Sequence, residues 1–205
     1  VSASRRLLIA TRNKGKLREY RQLLAGLSIS LTYLTEEGIT YDVEETGLTF
    51  IENAVHKARE YARFSGLLTL ADDSGLEVDA LHGEPGVHSA RYAGAGATDQ
   101  GRYRLLLERL DGVPWEQRSA RFRCAIAVAQ PGGETHTSEG VCEGMIAFAP
   151  QGEHGFGYDP VFFLPEHGKT MAQLLPAVKN VISHRARAAR GIAPILEGIV
   201  GRNDV

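Results

Sequence analysis

The chain has 205 residues, 43% of them hydrophobic, and sets 23 Lys and Arg against 25 Asp and Glu for a formal charge of −2. That length and apolar content supports a sizeable core, expected as one domain over residues 1–205. The charge balance excludes the broad basic surface behind non-specific nucleic-acid binding, and no apolar run is long enough to span a bilayer. The expectation is a cytoplasmic protein that binds neither nucleic acid nor membrane. Cys124 and Cys142 lie in apolar runs without metal-ligand spacing and are expected as buried free thiols.

Arg6 to Thr11 reads as a short strand that ends in the polar stretch Arg12-Asn13-Lys14-Gly15. Leu17, Tyr20, Leu23 and Leu24 follow at helical spacing, so the chain opens as strand, polar loop, helix. Leu31 to Leu34 is a second strand. Phe50, Ala54, Ala58, Tyr61 and Ser65 form one face of a helix from Thr49 to Ser65, which Gly66 ends. Leu67 to Ala71 is a continuous apolar run of the kind found in a strand covered on both faces, with Asp72 and Asp73 at its C-terminal end and a sharp turn on Ser74-Gly75.

Thr98 is placed to cap a helix through Leu110, with Asp99 favourable in its first turn. Arg121 to Ala129 and Glu134 to Ile146 read as a hairpin around Pro131-Gly132-Gly133. A glycine-punctuated loop from Gly152 to Gly157 leads through Tyr158-Asp159-Pro160 to a strand at Val161 to Leu164. Thr170 to Leu175 is expected as a short helix broken by Pro176, and Ser183 as the cap of a last helix to about Val200.

Three constellations carry chemistry. The loop Thr11, Arg12, Asn13, Lys14, Gly15 and Lys16 follows a strand and opens a helix, a setting in which backbone N–H groups and lysines receive phosphates; it also reads as an ordinary surface turn, and it is not a Walker A sequence. Glu44, Glu45, Asp72 and Asp73 are carboxylates of the kind that hold a divalent cation, and Glu44 with Asp73 suffices for magnesium, which keeps several waters and phosphate oxygens. Taken alone, Asp72-Asp73-Ser74-Gly75 reads equally well as a turn whose aspartates satisfy local backbone groups. Phe156 and Tyr158 in the glycine loop offer aromatic faces to a base or simply pack, and Lys179, His184 and Arg185 form a donor cluster near the C-terminus. Acids for a metal and bases for a polyanion together point to a nucleotide site.

The chain resembles the inosine/xanthosine triphosphate pyrophosphatases, enzymes that hydrolyse non-standard purine nucleoside triphosphates. The matching stretches are ATRNKGKLRE from Ala10, EETGLTFIENAVHKA from Glu44, ADDSGLEVDAL from Ala71, PGVHSARYAG from Pro85, GFGYDPVFF from Gly155 and KNVISHR from Lys179. The resemblance implies an α/β fold with an elongated central mixed sheet flanked by helices, two lobes around a substrate cleft, and a homodimer. It implies that Thr11 to Lys16 and Lys57 hold the triphosphate and that Glu44 and Asp73 bind Mg2+. Asp73 would be the proton acceptor and Ser74 would touch the substrate. Phe156, Gly157, Tyr158, Asp159, Lys179, His184 and Arg185 would take the base, with Phe156 stacked on the purine. The implied reaction is attack of water on the α-phosphorus, releasing pyrophosphate. Two rivals stay open from the residues themselves: a pyrophosphatase for modified pyrimidine or methylated nucleotides, and a non-catalytic nucleotide- or RNA-binding module suggested by Arg185, Arg187 and Arg190.

Overall fold

The computed structural model describes residues 6–201. Among these, β1 (Arg6–Ile9), α1 (Lys14–Leu23), β2 (Ser30–Tyr33) and α2 (Phe50–Ser65) come first. They are followed by β3 (Leu68–Val78), α3 (Asp99–Arg109), β4 (Ser119–Ala129) and β5 (Thr135–Ile146), then β6 (Phe162–Leu164), β7 (Lys169–Thr170), α4 (Pro176–Ile182) and α5 (His184–Gly201). The strands form one seven-stranded sheet in the order β2-β1-β3-β4-β5-β6-β7. It is mixed: β1 runs parallel to β2 and β3, whereas β6 is antiparallel to β5 and β7. The α/β architecture with helices flanking a mixed sheet is therefore the one expected.

The chain packs as two compact units, and β3, β4 and β5 contribute residues to both. The first comprises residues 6–73, 124–140 and 185–201; its core gathers Leu7 and Ile9 of β1, Leu68 and Leu70 of β3, Ile126 and Val128 of β4, and Ile192 and Leu196 of α5. The second comprises residues 74–123 and 141–184, around Leu76, Leu106, Phe122, Ile146, Phe162 and Met171. Each fully buried Leu, Ile or Phe contributes about 1.5–3 kcal/mol against its chain entropy. Cys124 and Cys142 are both buried and free, one in each core, as expected. Burial first, and then the charge of Asp72, pushes the Cys124 thiol up to about 12, so it stays protonated and inert. Among the described residues no helix is long and apolar enough to cross a membrane.

Local chemistry explains most boundaries. In α2, Thr49 accepts from Glu52 N–H at 3.2 Å while Glu52 takes Thr49 N–H at 3.1 Å, a reciprocal capping box. Its end is Gly66 at φ 68°, the left-handed position that glycine fills without strain. Thr98 caps α3 as expected by accepting Gly101 N–H, and the hairpin turn after β4 closes with Gln130 N–H to Glu134 O.

Two expectations are corrected. The sharp turn at Ser74-Gly75 is absent: β3 runs straight through both residues, so Asp72 and Asp73 lie mid-strand rather than at its end. Leu76 and Val78 are fully buried in the second core, and this alternating apolar pair draws the chain onward in extended form. The neighbouring strand stops where the aspartates begin, since the last β1 pairing is Ile9 with Leu70. The second correction concerns Thr170 to Leu175, which is not one helix. Lys169–Thr170 pairs with β6, Met171–Gln173 makes a single 3-10 turn, and Pro176 starts α4 instead of breaking a helix. Proline at the first helical position lacks only an N–H that would have no intrahelical partner. The final helix, by contrast, continues through Gly191 and Pro194.

Thr49→Ala removes a cap from the helix that carries Asn53 and Lys57, and is expected to lower stability by about 1 kcal/mol; a urea unfolding curve with unchanged slope and a lower midpoint checks it.

Candidate active site

In the first unit, the loop after β1 folds on itself. Asn13 Oδ1 accepts from Gly15 N–H at 2.8 Å and Lys16 N–H at 3.1 Å, and Asn13 N–H donates to Thr11 Oγ1 at 3.2 Å. The cap thus occupies the amides of Gly15 and Lys16, two of those that the sequence offers to phosphates. Arg12 is committed differently from the lysines. Its Nε pairs with Asp42 at 2.5 Å and its Nη2 donates to the carbonyls of Ile39 and Tyr41, so it ties down the segment leading to Glu44 and Glu45. Lys14 is exposed, and the side chain of Lys16 turns inward.

Lys16 Nζ lies 3.1 Å from Asp72 Oδ2. The same oxygen accepts from Nε and Nη2 of Arg185, each at 3.3 Å, and from the Cys124 thiol at 3.8 Å. Arg185 Nη1 bonds Glu19 at 2.5 Å, one turn after Lys16 on α1. Asp72 and Arg185 are each 1% exposed. Burial pushes Asp72 up, but Lys16, Arg185 and Lys57 together outweigh it and hold the carboxyl well below the usual carboxylate range. For Arg185 the balance is the same in mirror image: burial opposes the charge, and Glu19 and Asp72 more than restore it.

Asp73 has a different environment. Burial is the largest influence and raises its pKa, opposed by Lys57 and Lys16 and reinforced by Glu45. Its Oδ2 accepts from Asn53 Nδ2 at 3.0 Å. Lys57 Nζ bonds Glu45 Oε1 at 2.5 Å and the carbonyl of Asp72 at 2.7 Å; burial lowers its pKa, but Asp73, Glu45 and Asp72 outweigh that, so Lys57 stays charged. Lys16, Lys57, Asp72, Asp73 and Arg185 are therefore brought together, while Glu44 is exposed to solvent beside Glu45. Among the described residues no three His, Cys, Asp or Glu side chains form a metal cage by themselves. The available donors are carboxylate oxygens, which suit a hard cation that completes its shell with water and phosphate.

In the second unit, Asp159 shapes the glycine loop. Its Oδ2 accepts from Phe156 N–H at 2.9 Å and forms a buried ion pair with Lys179 Nζ, which in turn lies 4.8 Å from the Phe156 ring centroid. A Cβ on Gly155 would sit 1.9 Å from that same oxygen at φ +79°, so glycine is required there twice over. Tyr158 is buried, with its hydroxyl donating to Ser89 O at 2.9 Å, so its ring is a pillar of the core. His184 stacks on Phe122, ring centroids 4.7 Å apart and planes at 14°. Ser74 is half-buried next to Asp73. His184 and Arg185, neighbours in the chain, are thus engaged differently: one in aromatic stacking, the other in the ion network of the first unit.

Sequence reasoning missed Glu19, Asn53 and the role of Glu45. The signal for Asn53 is a polar residue on the buried face of α2, one turn before Lys57; it is 1% exposed and also accepts Gly47 N–H at 2.8 Å. Glu19 follows Lys16 at helical i+3 spacing. Ser89, inside PGVHSARYAG, is a second such residue, accepting Leu76 N–H and donating to Gly86 O.

Residues 7–195 match the Ham1 family, and the chain belongs to it. It is 55% identical over 195 residues to a dITP/XTP pyrophosphatase of Geobacillus kaustophilus, covering 95% of this chain and 96% of the relative. A dITP/XTP pyrophosphatase of Bacillus subtilis is 50% identical, with 93% and 96% covered. Among solved structures, a HAM1 protein from Coxiella burnetii superimposes with a TM-score of 0.86 at 44% identity, covering 95% of this chain and 99% of that one.

Asp72→Asn leaves Lys16 and Arg185 facing a neutral amide in a buried setting. The expected loss is roughly 3 kcal/mol, the low end for a broken buried pair because Glu19 still serves Arg185; chemical denaturation of the two proteins measures it.

Proposed function

We propose that this chain hydrolyses non-standard purine nucleoside triphosphates, the inosine and xanthosine class, to the monophosphate and pyrophosphate. The observation that carries this is Asp73: a buried carboxylate with a raised pKa, bonded to Asn53 and set among Lys57, Lys16 and Asp72. The close relatives named dITP/XTP pyrophosphatases support the substrate class. The 205 residues act as one catalytic domain in this reading, and the homodimer and cytoplasmic setting implied by the resemblance belong to it.

The first unit serves the phosphates. Thr11 to Lys16 and Lys57 receive the triphosphate, chiefly through the ammonium groups of Lys16 and Lys57, which neutralise charge that builds on the leaving pyrophosphate. Asp73, helped by its raised pKa, takes a proton from the water that attacks the α-phosphorus. The bond from that phosphorus to the bridging oxygen breaks, and the electron pair leaves with pyrophosphate. Glu44 and Asp73, with Glu45 alongside, would hold Mg2+, which supplies charge neutralisation and orientation of phosphate oxygens when bound. Arg185, enclosed by Asp72 and Glu19, contributes by fixing Asp72 and through it Lys16.

The second unit serves the base. Phe156 offers its ring face, Gly157 and Tyr158 their backbone, and Asp159 with Lys179 and His184 the polar contacts; Ser74 touches the substrate next to the reacting carboxylate. A 6-oxo purine presents an acceptor to donors such as His184 and Lys179. Adenine presents an amino group instead, and donors left facing a donor cost far more than a missing methylene.

With magnesium, inosine, deoxyinosine and xanthosine triphosphates are expected to yield pyrophosphate far faster than adenosine triphosphate, and Asp73→Asn to lose roughly 10²–10⁴-fold in turnover while still binding nucleotide. Product analysis checks both: orthophosphate as the product would move attack to the terminal phosphorus, and full turnover by the variant would remove Asp73 from its role.

A further inference from the structure

The glycine loop presents Phe156 from a stretch in which residues 151–155 are all exposed. Asp159 gives the loop its local form and, through its ion pair with Lys179, ties it to α4. A second carboxylate holds the next amide from another element. Asp99 Oδ2, from the first turn of α3, accepts the N–H of Gly157 at 2.7 Å, at a glycine with φ +65°.

Asp99 is itself held. Its Oδ1 accepts from Arg102 Nη1 at 2.6 Å, and Arg102 Nη2 donates to Ala97 O at 2.7 Å, so both carboxylate oxygens of this half-exposed side chain have partners. The helix does not need Asp99 as its cap, because Thr98 Oγ1 already accepts Gly101 N–H at 3.1 Å. A charge-assisted bond to a backbone amide is stronger than a neutral one, and here it is directed at the residue following Phe156. The loop step is thereby gripped on consecutive amides by two carboxylates, Asp159 on Phe156 and Asp99 on Gly157.

We propose that Asp99, locked by Arg102, is a positioning residue for base recognition: it fixes the Phe156-Gly157 step so that the ring and the Asp159-Lys179 pair meet the purine in one geometry. This rests on the base-binding role given to the loop above. Loss of the anchor is felt in affinity and in discrimination between bases, and not in the phosphate chemistry of Lys16, Lys57 and Asp73.

The test compares wild type, Asp99→Ala, Asp99→Asn and Thr98→Ala for pyrophosphate release from inosine and adenosine triphosphates, with amide exchange at Gly157 read by NMR. Asp99→Ala is expected to raise KM for the inosine substrate about tenfold, with kcat within about twofold, to narrow the inosine-to-adenosine ratio of kcat/KM, and to speed exchange at Gly157. Asp99→Asn keeps an acceptor for Gly157 but loses the ion pair with Arg102, and falls between. Thr98→Ala loses helix stability and leaves KM and the ratio unchanged. Unchanged KM, ratio and Gly157 exchange in Asp99→Ala, or effects equal to those of Thr98→Ala, overturn the proposal. A wild-type protein inactive on inosine triphosphate would overturn the function instead, and Gly157 exchange would still report whether Asp99 anchors the loop.

Discussion

A single buried carboxylate organises the first unit. Asp72 draws Lys16 of α1, Arg185 of α5 and the Cys124 thiol of β4 onto one oxygen, and its own carbonyl receives Lys57 of α2. Taking these charges out of water is expensive, and a buried pair is weak grounds for net stability. What it does provide is location: once water is excluded, each cation has few places where its charge is compensated, so Lys16 and Lys57 are held beside the two aspartates. Glu19 completes the arrangement by taking the part of Arg185 that Asp72 does not reach.

Adjacent residues on one strand therefore end in opposite electrostatic states. Asp72 is held well below the carboxylate range by three cations, whereas Asp73, for which burial is the dominant influence, is shifted upward. Environments that push two carboxylates apart in this way separate a structural anion from one suited to exchange a proton. The second unit uses carboxylates for another purpose. Asp99 and Asp159 accept backbone amides and give a glycine-rich loop a defined form.

Much of the fold was legible because it depends on near neighbours in the chain. The capping box of Thr49 and Glu52, the left-handed Gly66, the Thr98 cap and the turn at Pro131-Gly132-Gly133 are local devices, and each falls where its residues indicate. The misjudged places are those where a local preference met a distant constraint. Ser74-Gly75 has turn chemistry, yet the burial of Leu76 and Val78 in the second core keeps β3 extended. Pro176 reads as a breaker from upstream and as a helix start from downstream, and Lys169–Thr170 becomes a strand only because β6 is beside it.

The candidate site divides along the same line. By itself the sequence determined which residue types exist for the chemistry, in ordered stretches specific enough to indicate the family: lysines after a first strand, paired aspartates in an apolar run, a glycine-aromatic loop, and a basic segment near the end. Only the tertiary structure decided which partner each charge takes. Lys16, Asp72 and Arg185 are remote in the chain, and Arg185 looked like a companion of His184 until burial placed it against Asp72 and Glu19. Asn53, Glu19 and Asp99 show at most a helical position in the sequence, and nothing local names their partners. For Asn53 and Glu19 exclusion of water decides the rest, since it leaves a buried donor or acceptor only the partner that folding brings to it.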